Sequence, residues 1–183
     1  MGAEKMGHFY FVRHGQTVWN VENKICGASE SPLTELGREQ ARETGRKIVS
    51  QGIRADEILY SPLSRAAETA KIISEITGIP AREEQRLKEQ NFGRWESTPR
   101  DGLEFKKAKE SFAMSYEGGE SMLKLAQRIY NLLDDIKKEP GKTYILVAHN
   151  GIARVVESYF SDMTNEEYAS WGIKNCEIVR YDF

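Results

Sequence analysis

The chain has 183 residues, of which 39% are hydrophobic and 30% are charged, values that are typical of a globular protein with a sizeable core. Its 26 basic and 28 acidic side chains give a net charge of −2, which argues against a nucleic-acid or anionic-membrane partner. No apolar run is long enough to span a membrane, and the first six residues lack the hydrophobic segment of a secretory signal. Because Cys26 and Cys176 also lack paired spacing, we expect a single cytoplasmic domain over residues 1–183.

The first half of the chain alternates apolar strand patterns with amphipathic helix patterns. Residues 9–12 form an apolar run that stops at Arg13, and a polar loop follows over 16–32. Thr34 is a suitable N-cap for a helix through residue 51, with an apolar stripe and a stop at Gly52. The stripe residues are Leu36, Ala41, Gly45, Ile48 and Val49. Residues 57–60 predict a short strand. Pro62 is well placed in the first turn of a helix that continues to residue 77, and residues 81–87 predict another short strand.

The second half repeats this alternation after a polar, irregular stretch over 88–116, in which residues 103–112 predict a helix. A turn over 118–121 caps a long amphipathic helix over 122–138, and residues 143–148 form the clearest strand of the chain. A helix over 152–160 and a last strand over 176–181, at an edge, complete the order. The alternation predicts an α/β three-layer sandwich on a mostly parallel sheet.

Three of the predicted strands end in polar, reactive side chains. Arg13 and His14 follow the first strand, Ser61 leads from the second towards Arg65, and His149 follows the strand over 143–148. Since sites in such sheets form at the carboxyl ends of the strands, we expect these groups to converge, although 135 positions separate the two histidines. A guanidinium beside an imidazole suits an anion that must be both held and attacked. The pattern therefore favours a phosphate ester, with His14 as the nucleophile.

Five blocks of sequence occur in order over nearly the whole chain. They are Arg13-His14-Gly15-Gln16-Thr17 with Asn20 and then Leu33-Thr34 with Gly37; Ser61-Pro62-Leu63-Ser64-Arg65-Ala66 with Thr69-Ala70; Leu87, Glu89, Gly93, Trp95 and Glu96; Gly118-Gly119-Glu120-Ser121; and Ala148-His149-Asn150-Gly151. Together they resemble the signatures of the histidine phosphatase superfamily, also called phosphoglycerate mutase-like. The resemblance implies that family's three-layer fold.

The resemblance also implies a role for each of five side chains. His14 matches the nucleophile that becomes phosphohistidine, and Arg13 and Arg65 match the residues that grip the phosphoryl oxygens. The same two cations should keep the imidazole of His14 neutral. His149 matches the second pocket histidine, which donates to the transferring phosphoryl group. Glu89 matches the proton donor to the leaving oxygen, and a bound dianion favours the protonated form of such a carboxyl group.

Four further residues are candidates for contacts with the phosphate or the substrate. Asn20 is similar to an auxiliary residue of the phosphate pocket, and Gln16 and Thr17 either line its rim or only build the turn. Asn150 stands where many family members have glycine. Because asparagine tolerates left-handed backbone geometry, we expect it to preserve the loop, or to contact substrate through its amide. Ser97 is a second departure, since it follows Trp95-Glu96 where glycine is frequent, and it should affect only a turn.

The reaction implied is a two-step transfer without cofactor or metal, acting on a small phosphorylated metabolite. In the family that the chain resembles, the mutases have a longer insertion between the acid and the second histidine, which helps to enclose the substrate. Only 60 positions separate Glu89 from His149 here, so the resemblance implies a phosphatase rather than a phosphoglycerate mutase. A non-catalytic module that binds a phosphorylated ligand is an alternative of another class. A metal-dependent hydrolase is weaker still, since His14 and His149 lack metal-ligand spacing. The substrate stays open, and so does the oligomeric state, with a homodimer as one option.

Residues near the middle of the chain combine positive charge with aromatic rings. They are Phe105, Lys106, Lys107, Lys109, Phe112 and Tyr116. Such a mixture would suit a small acidic or aromatic ester. A solvated helix with an apolar underside is the simpler interpretation.

Overall fold

A computed structural model describes residues 6–183 and contains one five-stranded sheet. Its strands are β1 (His8–Arg13), β2 (Glu57–Tyr60), β3 (Ala81–Glu83), β4 (Tyr144–Ala148) and β5 (Ile178–Asp182). The order across the sheet is β3-β2-β4-β1-β5. The first four strands are parallel, and β5 pairs antiparallel with β1 at one edge. The predicted mostly parallel sheet is therefore confirmed, and so is its final edge strand.

Helices cover both faces of the sheet. The seven α-helices among the described residues are α1 (Val18–Val21), α2 (Glu35–Ser50), α3 (Ser64–Thr77), α4 (Leu103–Ala108), α5 (Met122–Lys137), α6 (Asn150–Phe160) and α7 (Asn165–Ser170). One core cluster joins the sheet to α2 and α3, and another joins it to α5 and α6. The three-layer sandwich follows from these two cores.

The central strand β4 shows why the sheet is covered on both sides. All five of its residues are buried. Ile145 and Val147 belong to the core beneath α2 and α3, whereas Leu146 and Ala148 belong to the core beneath α5 and α6. Since successive strand side chains point to opposite faces, an apolar run without polar positions requires two apolar layers.

The element boundaries differ from the prediction in several places. Leu63 is the N-cap of α3, so Pro62 precedes the helix instead of forming its first turn. Only residues 81–83 of the predicted 81–87 strand pair with a neighbour, and a 3₁₀ turn, Gln85–Leu87, follows. Helix α4 ends at Ala108, four residues early. The short helices α1 and α7 were not predicted, because each has too few residues to show a period.

The apolar stripe predicted for α2 is partly wrong. Leu36 and Val49 are 54% and 58% exposed, respectively. The buried face instead comprises Gly37, Ala41, Thr44, Gly45 and Ile48. This face has helical spacing but includes small and polar residues, because α2 lies close to its neighbours. A prediction from hydrophobicity alone therefore begins the buried face at Leu36 instead of Gly37 and ends it at Val49 instead of Ile48.

Most of the N-terminal segment that lacks a secretory-signal pattern, residues 1–5, lies outside the described residues. Within residues 6–183, no helix combines the length and the hydrophobicity that crossing a membrane requires.

The start of α2 packs directly against the loop that follows β1. A Cβ atom at Gly37 would lie 2.1 Å from the carbonyl oxygen of Gln16, and one at Gly15 would lie 2.3 Å from the carbonyl oxygen of Gly37. These two glycines therefore allow a backbone approach that no other residue permits. The approach fixes the position of the loop that contains His14.

We predict that Gly37→Ala destabilises the protein by roughly 1–3 kcal/mol, because the added methyl group meets backbone atoms that cannot yield. Helix propensity alone would give the opposite sign, a gain of about 1 kcal/mol. Urea unfolding measures the change. Gly102→Ala is the control, since a Cβ there meets nothing closer than 3.6 Å, and it should change stability by less than about 1 kcal/mol. A stabilised Gly37→Ala variant would contradict the packing described.

Candidate functional site

The ends of β1, β2 and β4 meet at one edge of the sheet. The backbone N–H of His14 donates to the carbonyl of Ala148 at 2.9 Å, and the N–H of Ser61 donates to the carbonyl of Val147 at 3.0 Å. The rings of His14 and His149 therefore lie with their centroids 5.2 Å apart, at an angle of 60°. The predicted convergence of the two histidines is confirmed. Both are recessed, with exposures of 5% and 1%.

A backbone contact determines which nitrogen of His14 is free to react. The Nδ1 atom lies 2.7 Å from the carbonyl oxygen of Gly15. Since a carbonyl oxygen can only accept, Nδ1 must hold the proton, and Nε2 holds the lone pair. Burial, together with the positive charges of Arg65 and Arg13, holds the pKa of His14 well below its ordinary value. His14 is therefore a neutral imidazole with a nucleophilic Nε2.

Arg65 is almost fully buried, with an exposure of 1%, and no carboxylate of residues 6–183 lies within 4.0 Å of it. Its Nη1 donates to the carbonyl of Ser29 at 2.8 Å and its Nη2 to the carbonyl of Gly27 at 2.6 Å. Its Nε is buried without a hydrogen-bond partner. Backbone carbonyls thus fix the guanidinium without neutralising its charge.

Arg13 is held in a similar way. Its Nη1 donates to the carbonyl of Ile173 at 2.7 Å, and its Nε is buried without a partner. Burial and the nearby Arg100 lower the pKa of Arg13 to about 10, against the opposing charge of Glu89. The side chain therefore remains charged at neutral pH.

His149 directs one ring nitrogen towards Ser61 and leaves the other without a partner. Its Nε2 lies 2.6 Å from the hydroxyl of Ser61, and its Nδ1 is buried without a partner. Burial and the charge of Arg65 lower the pKa of His149 well below its ordinary value. If the Ser61 hydroxyl donates to Nε2, Nδ1 carries the proton and becomes a donor.

Three side chains near His14 each have a buried polar atom without a hydrogen-bond partner. Arg13 Nε, Arg65 Nε and His149 Nδ1 are the only buried side-chain nitrogen or oxygen atoms in the described part of the chain without a hydrogen-bond partner. Buried polar groups are almost always paired, and each unpaired one requires an explanation. Two of these atoms are cationic donors and the third is a donor in one tautomer. An anion with several acceptor oxygens, seated against His14 Nε2, would satisfy all three.

Glu89 lies beside this cluster, buried and held by two backbone donors. Its Oε1 accepts from the N–H of Gln90 at 2.9 Å, and its Oε2 accepts from the N–H of Gly151 at 3.0 Å. Each oxygen retains a second lone pair that can carry a proton. A Cβ at Gly151 would lie 2.4 Å from Oε1, so glycine is required there for the carboxyl group to occupy this place. Glu89 lines a cavity of about 220 Å³.

Gln16, Thr17 and Asn20 make turn contacts. Thr17 is fully buried and caps α1, where its N–H donates to Asn20 Oδ1 at 3.0 Å and its hydroxyl accepts from the N–H of Asn20 at 3.1 Å. Gln16 Oε1 accepts from the hydroxyl of Thr34 at 3.0 Å. The buried Thr17 therefore builds the turn, whereas the place of the partly exposed Gln16 at the rim of the pocket stays a prediction. Asn20 keeps its Nδ2 as a donor that no residue in the range 6–183 engages.

The expected backbone role of Asn150 is wrong, whereas Ser97 occupies a glycine-like position. Asn150 is the first residue of α6 and does not have a positive φ. Its Oδ1 accepts from the N–H of Ile173 at 3.0 Å, and Ile173 in turn accepts from Arg13. Asn150 therefore holds the segment that orients Arg13. Ser97 has a φ of 66°, which explains why glycine suits that turn.

Two residues of the sequence blocks have positioning contacts that were not predicted. The hydroxyl of Thr69 accepts from the N–H of Gly15 at 3.1 Å and donates to the carbonyl of Arg65 at 2.7 Å. Glu96 accepts from the N–H of Gly27 at 2.8 Å and so holds the loop that contacts Arg65. Their places in the blocks were the available signal, but sequence spacing does not show these long-range partners.

No group of three histidine, cysteine, aspartate or glutamate side chains that could hold a metal ion occurs within residues 6–183.

Comparison with known proteins adds independent information. The family model described as histidine phosphatase superfamily (branch 1) matches residues 9–183. A protein of Yersinia pestis (strain Pestoides F), named a probable phosphoglycerate mutase, is 34% identical over 182 residues, which cover 95% of this chain and 84% of that protein.

Solved structures show the same fold. A mycobacterial glucosyl-3-phosphoglycerate phosphatase superposes with a TM-score of 0.82 at 27% identity, covering 97% of this chain and 90% of that protein. An α-ribazole phosphatase from Shigella flexneri superposes with a TM-score of 0.79 at 22% identity, covering 94% and 89%, a likeness that shows the fold alone.

The neutral state of the two site histidines makes stability depend on pH. Their pKa values are lowered in the folded protein, so between the folded and unfolded pKa values the unfolded chain binds more protons. We predict that the unfolding free energy falls as pH drops below about 6.5, by up to about 1.4 kcal/mol per pH unit for each histidine. His14→Gln should flatten this slope between pH 7.5 and 5.5 in urea unfolding. An identical slope in wild type and variant would show that His14 is not buried in its neutral form.

Ser61 should fix the tautomer of His149. We predict that Ser61→Ala weakens binding of inorganic phosphate by about tenfold, because His149 Nε2 loses its donor and the Nδ1–H form is no longer enforced. Titration measures the affinity, and ¹⁵N chemical shifts of the imidazole report the tautomer. The control is Ser64→Ala, because Ser64 is exposed and bonds only Glu30. Unchanged ¹⁵N shifts of His149 in Ser61→Ala would show that Ser61 does not determine the tautomer of His149.

Proposed function

The chain belongs to the histidine phosphatase superfamily, and we propose that it hydrolyses the phosphate monoester of a small metabolite through a phosphohistidine at His14. The observation that carries the proposal is a neutral imidazole, His14, whose neighbours Arg13, Arg65 and His149 each have a buried polar atom without a hydrogen-bond partner. A tetrahedral phosphoryl group has enough oxygens to accept from all three while its phosphorus faces His14 Nε2.

In the first step, the lone pair of His14 Nε2 attacks phosphorus and the bond to the ester oxygen breaks. The Nδ1–H of His14 remains on the carbonyl of Gly15, which stabilises the positive charge that develops on the ring. Arg13, Arg65 and the Nδ1–H of His149 take up charge on the phosphoryl oxygens. Glu89 gives its proton to the leaving oxygen, which departs as an alcohol.

In the second step, water attacks phosphorus and the bond to Nε2 breaks. Glu89, now a carboxylate, takes the proton of that water, so inorganic phosphate and the original enzyme are restored. The backbone donors of Gln90 and Gly151 hold the carboxylate in place between the two steps.

A phosphoglycerate mutase is the second candidate, and the 34% identity to a protein of that name favours it. In a mutase a second phosphoglycerate, and not water, accepts the phosphoryl group. The chain between Glu89 and α5 contributes only the six-residue helix α4 and one 3₁₀ turn, Gly93–Trp95. Since this leaves little chain to exclude water from the phosphohistidine, hydrolysis is favoured.

The location in the cytoplasm remains a proposal, supported by the two unpaired cysteines. We also propose that the partner is a small phosphorylated metabolite and that the whole chain forms a single domain.

We predict that His14→Ala abolishes hydrolysis of phenyl phosphate while leaving the circular dichroism spectrum unchanged, because no other group can form the covalent intermediate. Wild-type protein quenched during turnover of ³²P-labelled ester should carry acid-labile phosphate on His14. Activity retained by His14→Ala would refute the nucleophile assignment and with it the proposed reaction.

Glu89→Gln should slow alkyl phosphates far more than 4-nitrophenyl phosphate, since nitrophenolate leaves without protonation. We expect the ratio of kcat values for the two esters to change by roughly 100-fold, within the range for general acid catalysis. Equal losses on both esters would show that Glu89 is not the proton donor.

Two assays separate hydrolysis from mutase activity. Release of inorganic phosphate from an aryl ester supports the phosphatase. Interconversion of 3- and 2-phosphoglycerate that exceeds hydrolysis and depends on a bisphosphoglycerate primer would replace it with the mutase.

A further inference from the structure

A second, larger cavity adjoins the one that contains Glu89. The inner cavity has a volume of about 220 Å³ and the outer one about 590 Å³. They share four wall residues, which are Arg100, Phe105, Lys109 and Arg154. These four side chains therefore lie between the surroundings of Glu89 and the outer cavity. Its volume lies in the range of small-molecule sites.

Three of the shared residues are cations without a carboxylate partner. No carboxylate of the described chain lies within 4.0 Å of Arg100, Lys109 or Arg154, although 14 such ion pairs occur elsewhere. All three side chains are half-buried. Three like charges at one wall repel one another, so an anion bound among them would be stabilised.

The two arginines are anchored in a way that leaves their ends available. Arg100 Nε donates to the carbonyl of Lys24 at 3.0 Å, and Arg154 Nε donates to the carbonyl of Trp171 at 2.6 Å. Their Nη atoms make no hydrogen bond within residues 6–183. A guanidinium held at Nε and free at both Nη atoms offers the fork that a carboxylate or phosphate fits.

Lys109 is the cation most affected by this crowding. Burial and the charges of Arg154 and Arg100 lower its pKa to about 8. Its Nζ lies 5.4 Å from the centroid of the Phe105 ring. An anion in the cavity would relieve the repulsion between these cations. Lys106 and Lys107, in contrast, are exposed. Lys106 lies at the wall of the outer cavity, whereas Lys107 lines neither cavity, so the simpler interpretation of a solvated helix residue holds for Lys107 and not for Lys109.

Beyond the shared cations, the outer cavity has an apolar part lined by Phe105, Phe112, Met122 and Tyr168. Its other charged side chains are Lys106, Glu110 and Glu166. The two carboxylates outnumber Lys106 and disfavour a second anion in the outer part. The favourable place for that anion is therefore the shared wall, next to Glu89, with an apolar portion beyond it.

We propose that the substrate is a phosphate monoester whose alcohol portion carries a second acidic group, bound by Arg100, Lys109 and Arg154, and an apolar portion that fills the outer cavity. The proposal rests on the proposed function, which places the phosphoryl group at His14 and the ester oxygen at Glu89. Arg100, Lys109 and Arg154 then select the substrate, whereas Arg13, Arg65 and His149 act on the phosphoryl group.

Binding of non-hydrolysable phosphonates tests this directly. Phenylphosphonate is compared with its 3-carboxy and 4-carboxy derivatives by isothermal titration calorimetry. Wild-type protein should bind at least one carboxylated ligand about tenfold more tightly than phenylphosphonate, as expected for one charged hydrogen-bonded contact. Lys109→Met and Arg154→Met should each reduce this preference to threefold or less. Lys107→Met, an exposed lysine of the same helix, is the matched control and should retain the full preference.

A wild-type preference near one for both carboxylated ligands would overturn the proposal, and so would a preference that survives both cavity variants. The proposed function and the proposed substrate class are tested by different measurements. Absence of phosphohistidine during exposure to esters would refute the proposed function. The ratio of phosphonate affinities does not depend on that reaction, and it tests whether Arg100, Lys109 and Arg154 bind an acidic group.

Discussion

The structure depends on a buried positive charge that has no negative partner. Arg65 is held by the carbonyls of Gly27 and Ser29, and no carboxylate of the described chain approaches it. A buried charge is costly unless it is paired, so the surrounding contacts must hold it by geometry alone. Glu96 fixes the loop that supplies the carbonyls, and Thr69 ties the backbone of Arg65 to Gly15. Because Arg65 has no carboxylate partner within the described residues, its charge and its free Nε remain available to bind an anion.

The same charges also prepare the nucleophile. Burial lowers the pKa of His14, and the charges of Arg65 and Arg13 lower it further, so the groups that attract a phosphoryl dianion also help to keep the imidazole in its reactive neutral form. The carbonyl of Gly15 then settles which nitrogen reacts, because it accepts the proton of Nδ1. Binding, activation and orientation are thus consequences of one electrostatic arrangement, built at the ends of neighbouring parallel strands.

The sequence predicts the sheet and the convergence of the site because both follow from short-range patterns. A fully apolar β4 requires two covering layers, and a strand-terminal histidine on each of two parallel neighbours must meet at one edge. Short-range patterns do not show which distant segments of the chain contact one another. The left-handed backbone expected of Asn150 was wrong because the residue begins α6, and its contact with Ile173 joins segments that are distant in sequence. Periodicity also did not distinguish Lys109 from the exposed Lys106 and Lys107. The three unpartnered donors are likewise visible only in three dimensions.

A crystal structure with orthovanadate tests the central claim most directly, because vanadate adopts the five-coordinate geometry of a phosphoryl group in transfer. We expect vanadium within bonding distance of His14 Nε2, with its oxygens accepting from Arg13, Arg65 and Nδ1 of His149. Vanadate bound elsewhere, bonded through Nδ1 of His14, or seated at His14 while the three donors remain unpartnered, would contradict it.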